Sequence, residues 1–361
     1  MTLTDLGWDA GFMEAFKPFA AEGWLPGRIG TQFRGGYGIM AESGDFLGDI
    51  SGRFRHRILS PNDAPCVGDW VAFERPKQSG PSTIHALLPR RTQFSRASAG
   101  LATTQQVLAA NIDHVFVVES LAEPPNLRRI ERFLTLAWES GAKPHVVLTK
   151  SDLCPKTKEL VEATRAIAGN AEVSAVSSRT GKGMKTLRKF LKPGRTAVLL
   201  GPSGVGKSTL INSLNDDDTQ EVLPVRESDQ KGRHATKSRE LVLLPEGGLI
   251  IDTPGLREIQ LWEGQVGVGE AFADIEELSR LCRFTSCRHE SEPGCAVQEG
   301  LKGGKLDAVR VASFKKLLGE SKTFESRNQV RTQIDEHRRA KKLTRSLRDL
   351  PKHRQFSGDG E

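Results

Sequence analysis

The segment LLGPSGVGKSTLINSL, residues 199–214, constrains the fold of this 361-residue chain more than any other feature. Gly201, Gly206, Lys207 and Ser208 have the spacing G-x-x-x-x-G-K-[ST], between an apolar run and a helix-forming run. Such glycines let backbone N–H groups surround phosphate oxygens, and the helix N-terminus favours their negative charge. Lys207 is expected to reach the β- and γ-phosphates, and Ser208 to contact Mg²⁺. The segment therefore predicts a nucleotide-binding α/β domain.

A second motif follows about fifty residues later, in GGLIIDTPGLRE. Asp252 ends an apolar run that is typical of a buried strand, so its carboxylate can hold Mg²⁺ through water. Gly255 offers a backbone N–H to a γ-phosphate. The pattern D-x-x-G at this distance resembles switch II of GTPases.

The motif that selects guanine precedes the phosphate loop instead of following it. In VVLTKSDL the residues Thr149, Lys150, Ser151 and Asp152 fit the pattern N/T-K-x-D, in which the aspartate accepts the guanine N–H groups. Taken alone, TKSD is as consistent with a surface turn. It follows an apolar strand, however, and precedes VSAVSSRTGKG, where Ser177 and Ser178 occupy the base-backing position.

The motif order is therefore base, base-backing loop, phosphate loop and switch II, which is a circular permutation of the GTPase domain. A sheet requires its strands to be adjacent in space, and not in one sequence order. We expect GTP as the nucleotide and Mg²⁺ as its counterion. The predicted GTP-binding residues are Thr149, Lys150, Ser151, Asp152, Ser177, Ser178, Gly201, Pro202, Ser203, Gly204, Val205, Gly206, Lys207, Ser208, Thr209, Asp252 and Gly255.

Residues 27–96 alternate short β-prone runs with glycine turns, including YGIMAES and FLGDISGRFRH. This spacing predicts a small five-stranded barrel. Arg34, Arg53, Arg55 and Arg57 could bind RNA on one face of it. The alternative is that the nearby aromatic residues form the barrel core and the arginines are merely solvated.

Three of the five cysteines fall within CRFTSCRHESEPGC. Cys282, Cys287, His289 and Cys295 supply three thiolates and one imidazole, which suits one structural Zn²⁺ with no open position for catalysis. The alternative is a set of reduced cysteines beside an unrelated histidine.

The net charge of +7 favours a polyanionic partner, and residues 301–361 contain 16 Lys and Arg against 8 Asp and Glu. Arg338, Arg339, Lys341 and Lys342 are candidate RNA contacts in this region. A solvated helix or tail is an equal alternative. The sequence shows no basic, apolar leader and no run of about 18 apolar residues, so we expect a cytoplasmic protein without a membrane partner.

Together these motifs, with VGDWV, LPRRTQFSR and GRHAT, resemble the ribosome small-subunit-dependent GTPase A family (RsgA, also called YjeQ) over nearly the whole chain. The resemblance implies a multidomain α/β protein with an N-terminal OB-fold β-barrel, a central circularly permuted P-loop GTPase and a C-terminal helical zinc-binding domain. Its partners would be GTP or GDP and the small (30S) ribosomal subunit with its rRNA, in late subunit maturation. We expect a monomer, with an N-terminal segment at 1–26 and domains at 27–98, 99–268 and 269–361.

Two positions depart from the common pattern. The family usually carries consecutive threonines after the histidine of GRH, whereas this chain has His234, Ala235 and Thr236. Thr236 is the candidate switch-I ligand of Mg²⁺, beside Ser208 and Asp252. Leu256 stands where many GTPases have a glutamine that orients water, so we expect slow basal hydrolysis accelerated by a partner. The resemblance names His234, with Lys207 and Thr236, as catalytic candidates, although a solvent-facing loop histidine is an equal alternative.

Overall fold

The computed structural model of the chain describes residues 1–33, 35–76, 79–97, 105–215, 239–252 and 264–319. Its helices are α1 (Ala10–Ala20), α2 (Gly52–Arg57), α3 (Leu127–Glu139), α4 (Thr157–Ala168), α5 (Met184–Arg188), α6 (Lys207–Asn215), α7 (Gly264–Ala271), α8 (Ala273–Ser279), α9 (Ala296–Lys302) and α10 (308–319). Its strands are β1 (Leu25–Phe33), β2 (Gly36–Ala41), β3 (Gly44–Ile50), β4 (Trp70–Glu74), β5 (Ser82–Leu87), β6 (Gln93–Ala97), β7 (Gln105–Ala110), β8 (His114–Ser120), β9 (Lys143–Thr149), β10 (Glu172–Ala175), β11 (Thr196–Leu200), β12 (Arg239–Leu243) and β13 (Leu249–Asp252). No helix in these ranges is both long and apolar enough to cross a bilayer.

Five N-terminal strands close into a barrel. They pair in the order β1-β2-β3-β5-β4, and β4 pairs back with β1. Only the pairing of β3 with β5 is parallel. Ile29, Ile39, Val71, Phe73 and Ile84 fill the interior, so one side of the alternating strands forms this core. The predicted five-stranded barrel is confirmed.

The C-terminal end of one expected β-prone run is helical. FLGDISGRFRH continues from β3 into α2, because the Ser51 side chain caps the helix by accepting from the Phe54 N–H at 3.1 Å. Phe54 points into the barrel and is buried, while Arg53, Arg55 and Arg57 are exposed.

The second part of the fold is a six-stranded sheet in the order β10-β9-β8-β11-β13-β12. All neighbours are parallel except β12, which is antiparallel to β13. Strand β11 is buried along its whole length, as the apolar sequence TAVLL requires of a strand covered on both faces. Because the central strands are parallel, the C-terminal ends of β8, β9, β11 and β13 lie at one edge of this sheet.

The barrel and the six-stranded sheet form one continuous sheet. Strand β12 pairs with β1 of the barrel, opposing Thr31 to Glu240 and Gln32 to Arg239. A separate hairpin of β6 and β7 connects the two parts and lies across the expected boundary at 98/99. Helix α7 likewise lies across the expected boundary at 268/269.

The C-terminal helices attach to the α/β part through a buried arginine. Arg310 in α10 contacts Glu131 of α3 at 2.7 Å and the carboxylate of Asp274 in α8 at 2.8 and 2.9 Å. Its guanidinium also donates to the backbone carbonyls of Ile167 and Ala271. Burial raises the pKa of Glu131, although Arg310 opposes the shift. The two parts are thus joined by a charged contact that is largely removed from water.

Candidate nucleotide site and cysteine–histidine cluster

The phosphate loop lies between β11 and α6. Gly201, Gly204 and Gly206 all have positive φ, at 157°, 81° and 97°, which favours glycine at each position. A Cβ on Gly201 would lie 2.3 Å from the Val118 carbonyl oxygen of the neighbouring strand. The backbone angles of the loop therefore favour glycine at all three positions, and packing also requires it at Gly201.

The loop lysine is held by the loop itself. Lys207 Nζ donates to the carbonyl oxygens of Gly201 and Pro202, each at 2.7 Å. Ser208 and Thr209 in the first turn of α6 are exposed, as are Ser203 and Gly204. The surface of the loop and the first helical turn are accordingly open to a ligand.

The TKSD segment meets this loop directly, although some fifty residues separate the two in sequence. The Thr149 hydroxyl donates to the Val205 carbonyl and shares its proton with the Glu119 carbonyl at 3.2 Å. Lys150 Nζ donates to the Gly204 carbonyl at 2.9 Å. The first two residues of the base motif thus fix the position of the phosphate loop.

Lys150 has a left-handed backbone with φ of 56°, and a 3-10 turn at Ser151–Leu153 follows it. This bend exposes Asp152 and buries Ser151, whose N–H donates to the Val176 carbonyl at 3.1 Å. The motif is therefore tied to both neighbouring loops, and its carboxylate faces solvent.

The base-backing loop lies beside Asp152. A hydrogen bond from the Ser177 hydroxyl lowers the pKa of the Asp152 carboxyl, which stays ionised at neutral pH. The buried Ser177 oxygen also accepts from the Thr180 N–H at 3.2 Å, while Ser178 is half-buried. An ionised carboxylate at this position can accept the two N–H groups of a guanine edge.

Asp252 ends β13, next to β11, at the same sheet edge as the phosphate loop. The remaining predicted nucleotide residues, His234, Thr236 and Gly255, lie outside the described residues, as does Leu256.

Cys282, Cys287, His289 and Cys295 form a compact cluster, in which one ligand atom from each lies within 4.8 Å of the others. His289 Nδ1 is 3.5 Å from the sulfur atoms of Cys282 and Cys295. The His289 backbone has φ of 59°, and its carbonyl accepts from Gln298 at 2.7 Å and from Lys315. Three sulfurs and one ring nitrogen at this spacing fit one tetrahedral Zn²⁺.

Of the candidate RNA contacts, Arg53, Arg55 and Arg57 lie exposed on α2, and Arg55 pairs with Asp49 at 3.1 Å. Tyr37 and Phe54 belong to the barrel core instead. Arg34, Arg338, Arg339, Lys341 and Lys342 are outside the described residues.

Two groups with structural roles carry no signal in the sequence, one beside the phosphate loop and one between α10 and α3. Glu119 is buried at the end of β8, pairs with Arg129 at 2.6 Å, and offers its carbonyl to Thr149. Arg310, which joins α10 to α3, also carried no signal beyond its place in a charged helix. Neither belongs to a sequence motif, because the fold brings the partners of each to it.

The sheet order, with the base motif preceding the phosphate loop, defines the fold of the circularly permuted GTPases. Two crystal structures share it: YjeQ from Thermotoga maritima (TM-score 0.62, 26% identity, covering 82% of this chain and 98% of that one) and YloQ, described as a circularly permuted GTPase (TM-score 0.61, 25% identity, 83% and 96%).

A family model described as RsgA GTPase matches residues 87–262. The small ribosomal subunit biogenesis GTPase RsgA of Opitutus terrae is 45% identical over 329 residues, covering 89% of this chain and 90% of that protein. The protein of the same name from Syntrophotalea carbinolica is 38% identical over 370 residues, covering 100% of both. The chain belongs to the RsgA GTPase family.

Proposed function

We propose that this protein is a GTPase that binds the small ribosomal subunit, acts in its late maturation and hydrolyses GTP faster when bound to it. The observation that carries the proposal is the contact of Thr149 and Lys150 with the backbone of the phosphate loop. This contact brings together the two segments that, in the proposal, would select guanine and bind the phosphates. The relatives from Opitutus terrae and Syntrophotalea carbinolica are named small ribosomal subunit biogenesis GTPase, which supports the proposed process.

Within this site, Asp152 would accept guanine N–H groups while Lys150 packs over the base. Backbone N–H groups of the loop would hold the phosphates, and Lys207 would move from its loop carbonyls to the β- and γ-phosphate oxygens. Ser208 and Asp252 would hold Mg²⁺ with Thr236, since hydroxyl and carboxylate oxygens suit that ion. Bound Mg²⁺ would neutralise charge that develops on the phosphates.

The flanking parts would supply subunit affinity. The closed five-stranded barrel would be the OB-fold of the proposal, and α2 presents three exposed arginines on it. A structural Zn²⁺ held by Cys282, Cys287, His289 and Cys295 would fix the C-terminal loops. The basic residues at 338–342 would add phosphate contacts. We propose domain limits of 27–98, 99–268 and 269–361, after a segment at 1–26.

Binding to purified subunits tests this proposal. The protein should sediment with small subunits, more strongly with a non-hydrolysable GTP analogue than with GDP, and weakly with large subunits. The triple variant Arg53→Glu, Arg55→Glu and Arg57→Glu should bind at least tenfold less well at a fixed salt concentration. A matched triple reversal of Lys158, Arg165 and Lys185, on exposed positions of the α/β part, should bind as the wild type. Equal sedimentation with both subunits would contradict the proposal.

A further inference from the structure

A pocket of about 260 Å³ lies where the N-terminal segment, the barrel and the α/β sheet meet. Trp8 and Trp70 form part of its wall, with ring centroids 4.7 Å apart. Thr196, the first residue of β11, also lines it. Because the phosphate loop follows the other end of β11, this pocket lies at the opposite edge of the sheet from the nucleotide site.

Arg28, which also lines the pocket, is 1% exposed. Its guanidinium donates to three backbone carbonyls, those of Leu6 at 2.5 Å, Asn111 at 2.9 Å and Gly68 at 3.1 Å. These belong to the N-terminal segment, the start of the α/β part and the barrel. Burial lowers the pKa of Arg28 to about 10. A buried cation without a hydrogen-bonded carboxylate is costly, so its surroundings favour an anion.

The two carboxylates whose charge acts on Arg28 are both hydrogen-bonded to other arginines. Asp113 pairs with Arg195 at 2.6 Å. Asp69 accepts from Arg90 Nε at 2.8 Å and from Nη2 at 2.7 Å. Arg28 therefore has no carboxylate in direct contact within the described part of the chain.

The ionisable groups that line the pocket leave one positive charge uncompensated. The cations are Arg28, Arg91 and Arg195, and the anions are Asp9 and Asp113. Asp9 pairs with Arg91 and Asp113 pairs with Arg195, so Arg28 is the cation without a paired carboxylate among these groups. A guanidinium has five N–H donors, and Arg28 uses three of them on described residues. Two N–H groups and one net positive charge thus have no partner among the described residues.

We propose that this pocket binds a small organic anion, which is held by the uncompensated positive charge of the buried Arg28 and packs its apolar body against the half-buried Trp8. The volume is just below the range of about 300–1,000 Å³ common for drug-sized ligands. A one-ring carboxylate or a small phosphate ester therefore suits it. The ligand would connect all three segments that Arg28 joins.

Calorimetric titration of the full protein saturated with Mg²⁺ and GDP tests the proposal, because the nucleotide then occupies the phosphate loop. The probes are benzoate, the neutral and similarly shaped benzamide, and inorganic phosphate. Benzoate should bind at least tenfold more tightly than benzamide. If phosphate displaces benzoate, the site binds an oxyanion without an apolar body. If phosphate does not displace benzoate, the site also requires the apolar body. Either result supports an anion site.

Two variants locate the binding. Arg195→Glu reverses an exposed charge at the pocket and should weaken benzoate at least tenfold, whereas Arg165→Glu, the same change on exposed α4, should leave it unchanged. Arg28→Met should abolish binding, and if that variant does not fold, the Arg195 comparison decides. Absent binding, equal affinity for benzoate and benzamide, or equal behaviour of the two glutamate variants would each overturn the proposal.

Discussion

The hydroxyl of Thr149 donates to the backbone carbonyl of Val205, joining a residue that ends β9 to the middle of the phosphate loop. The permuted chain places these residues in reversed order, yet the sheet makes them neighbours because β8 alone separates β9 from β11. The TKSD segment and the loop between β11 and α6 are consequently joined by direct hydrogen bonds.

Thr149→Val should weaken GTP and GDP binding about five- to a hundredfold. Valine keeps the shape but removes the donor, so the loop should shift to bring the Val205 carbonyl to water. Nucleotide binding must then return the loop to its place and bury an unpaired carbonyl, which costs about 1–3 kcal/mol. Calorimetry with each nucleotide measures the effect. Thr135→Val is the matched control, since among the described residues that buried hydroxyl donates only to the Glu131 carbonyl of its own helix. Equal affinities for the two variants would contradict the role given to Thr149.

Asp152→Asn should lower GTP affinity at least tenfold and raise affinity for xanthosine triphosphate. An amide presents one acceptor and one donor group, which matches the xanthine edge better than the guanine edge. Competition binding with GTP, XTP and ATP gives the ratios. An unchanged preference for GTP over ATP and XTP would refute the placement of the base at Asp152.

The cysteine–histidine cluster should hold one Zn²⁺ per chain. Cys282→Ser should remove the ion and lower the melting temperature of the C-terminal part, because structural zinc contributes directly to folding. Cys154→Ser, a half-buried thiol outside the cluster, is the control. Metal analysis of both variants checks the prediction, and full zinc occupancy in the Cys282 variant would contradict it.

Arg310→Met should destabilise the folded protein by about 3–5 kcal/mol at pH 7.5, because it leaves Glu131 buried without its cation. The loss should be smaller at pH 5. Burial raises the pKa of Glu131 in the folded state above its value in the unfolded state. Between these two pKa values the folded state binds more protons than the unfolded state. The free energy of unfolding therefore falls as the pH rises through this window. Arg310 opposes that shift, so its removal strengthens the dependence.

Denaturant unfolding at the two pH values measures this difference. Adding Glu131→Gln to Arg310→Met should recover part of the loss at pH 7.5, because the glutamine carries no buried charge. A loss independent of pH, with no recovery in the double variant, would show that Arg310 acts through packing alone.

Structure could be predicted best from the sequence where it depends on the backbone conformation of a few consecutive residues. The phosphate loop and the strand before it could be predicted because Gly201, Gly206, Lys207 and Ser208 occupy fixed spacings. The barrel could be predicted from alternating runs and glycine turns. The helix Gly52–Arg57 could not, because its cap at Ser51 competes with β-prone neighbours and only tertiary packing of Phe54 decides.

Contacts between distant segments had no such signal. Arg28 and Arg310 each join parts of the chain far apart in sequence, and a lone arginine in a strand or a charged helix has many equivalent explanations. Arg28 donates to backbone carbonyls and Arg310 pairs with Glu131. Only the fold brings these partners together, so the role of each arginine could not be predicted from the sequence. The consequences of His234 and Leu256 for hydrolysis stay predictions.

The most direct test of the account is the rate of GTP hydrolysis by the purified protein, measured alone and with small subunits, large subunits or naked rRNA at one salt concentration. The account predicts slow turnover alone and a strong increase with small subunits only, lost in the Asp152→Asn variant. Turnover that no ribosomal component accelerates would contradict it and leave a GTP-liganded RNA-binding protein.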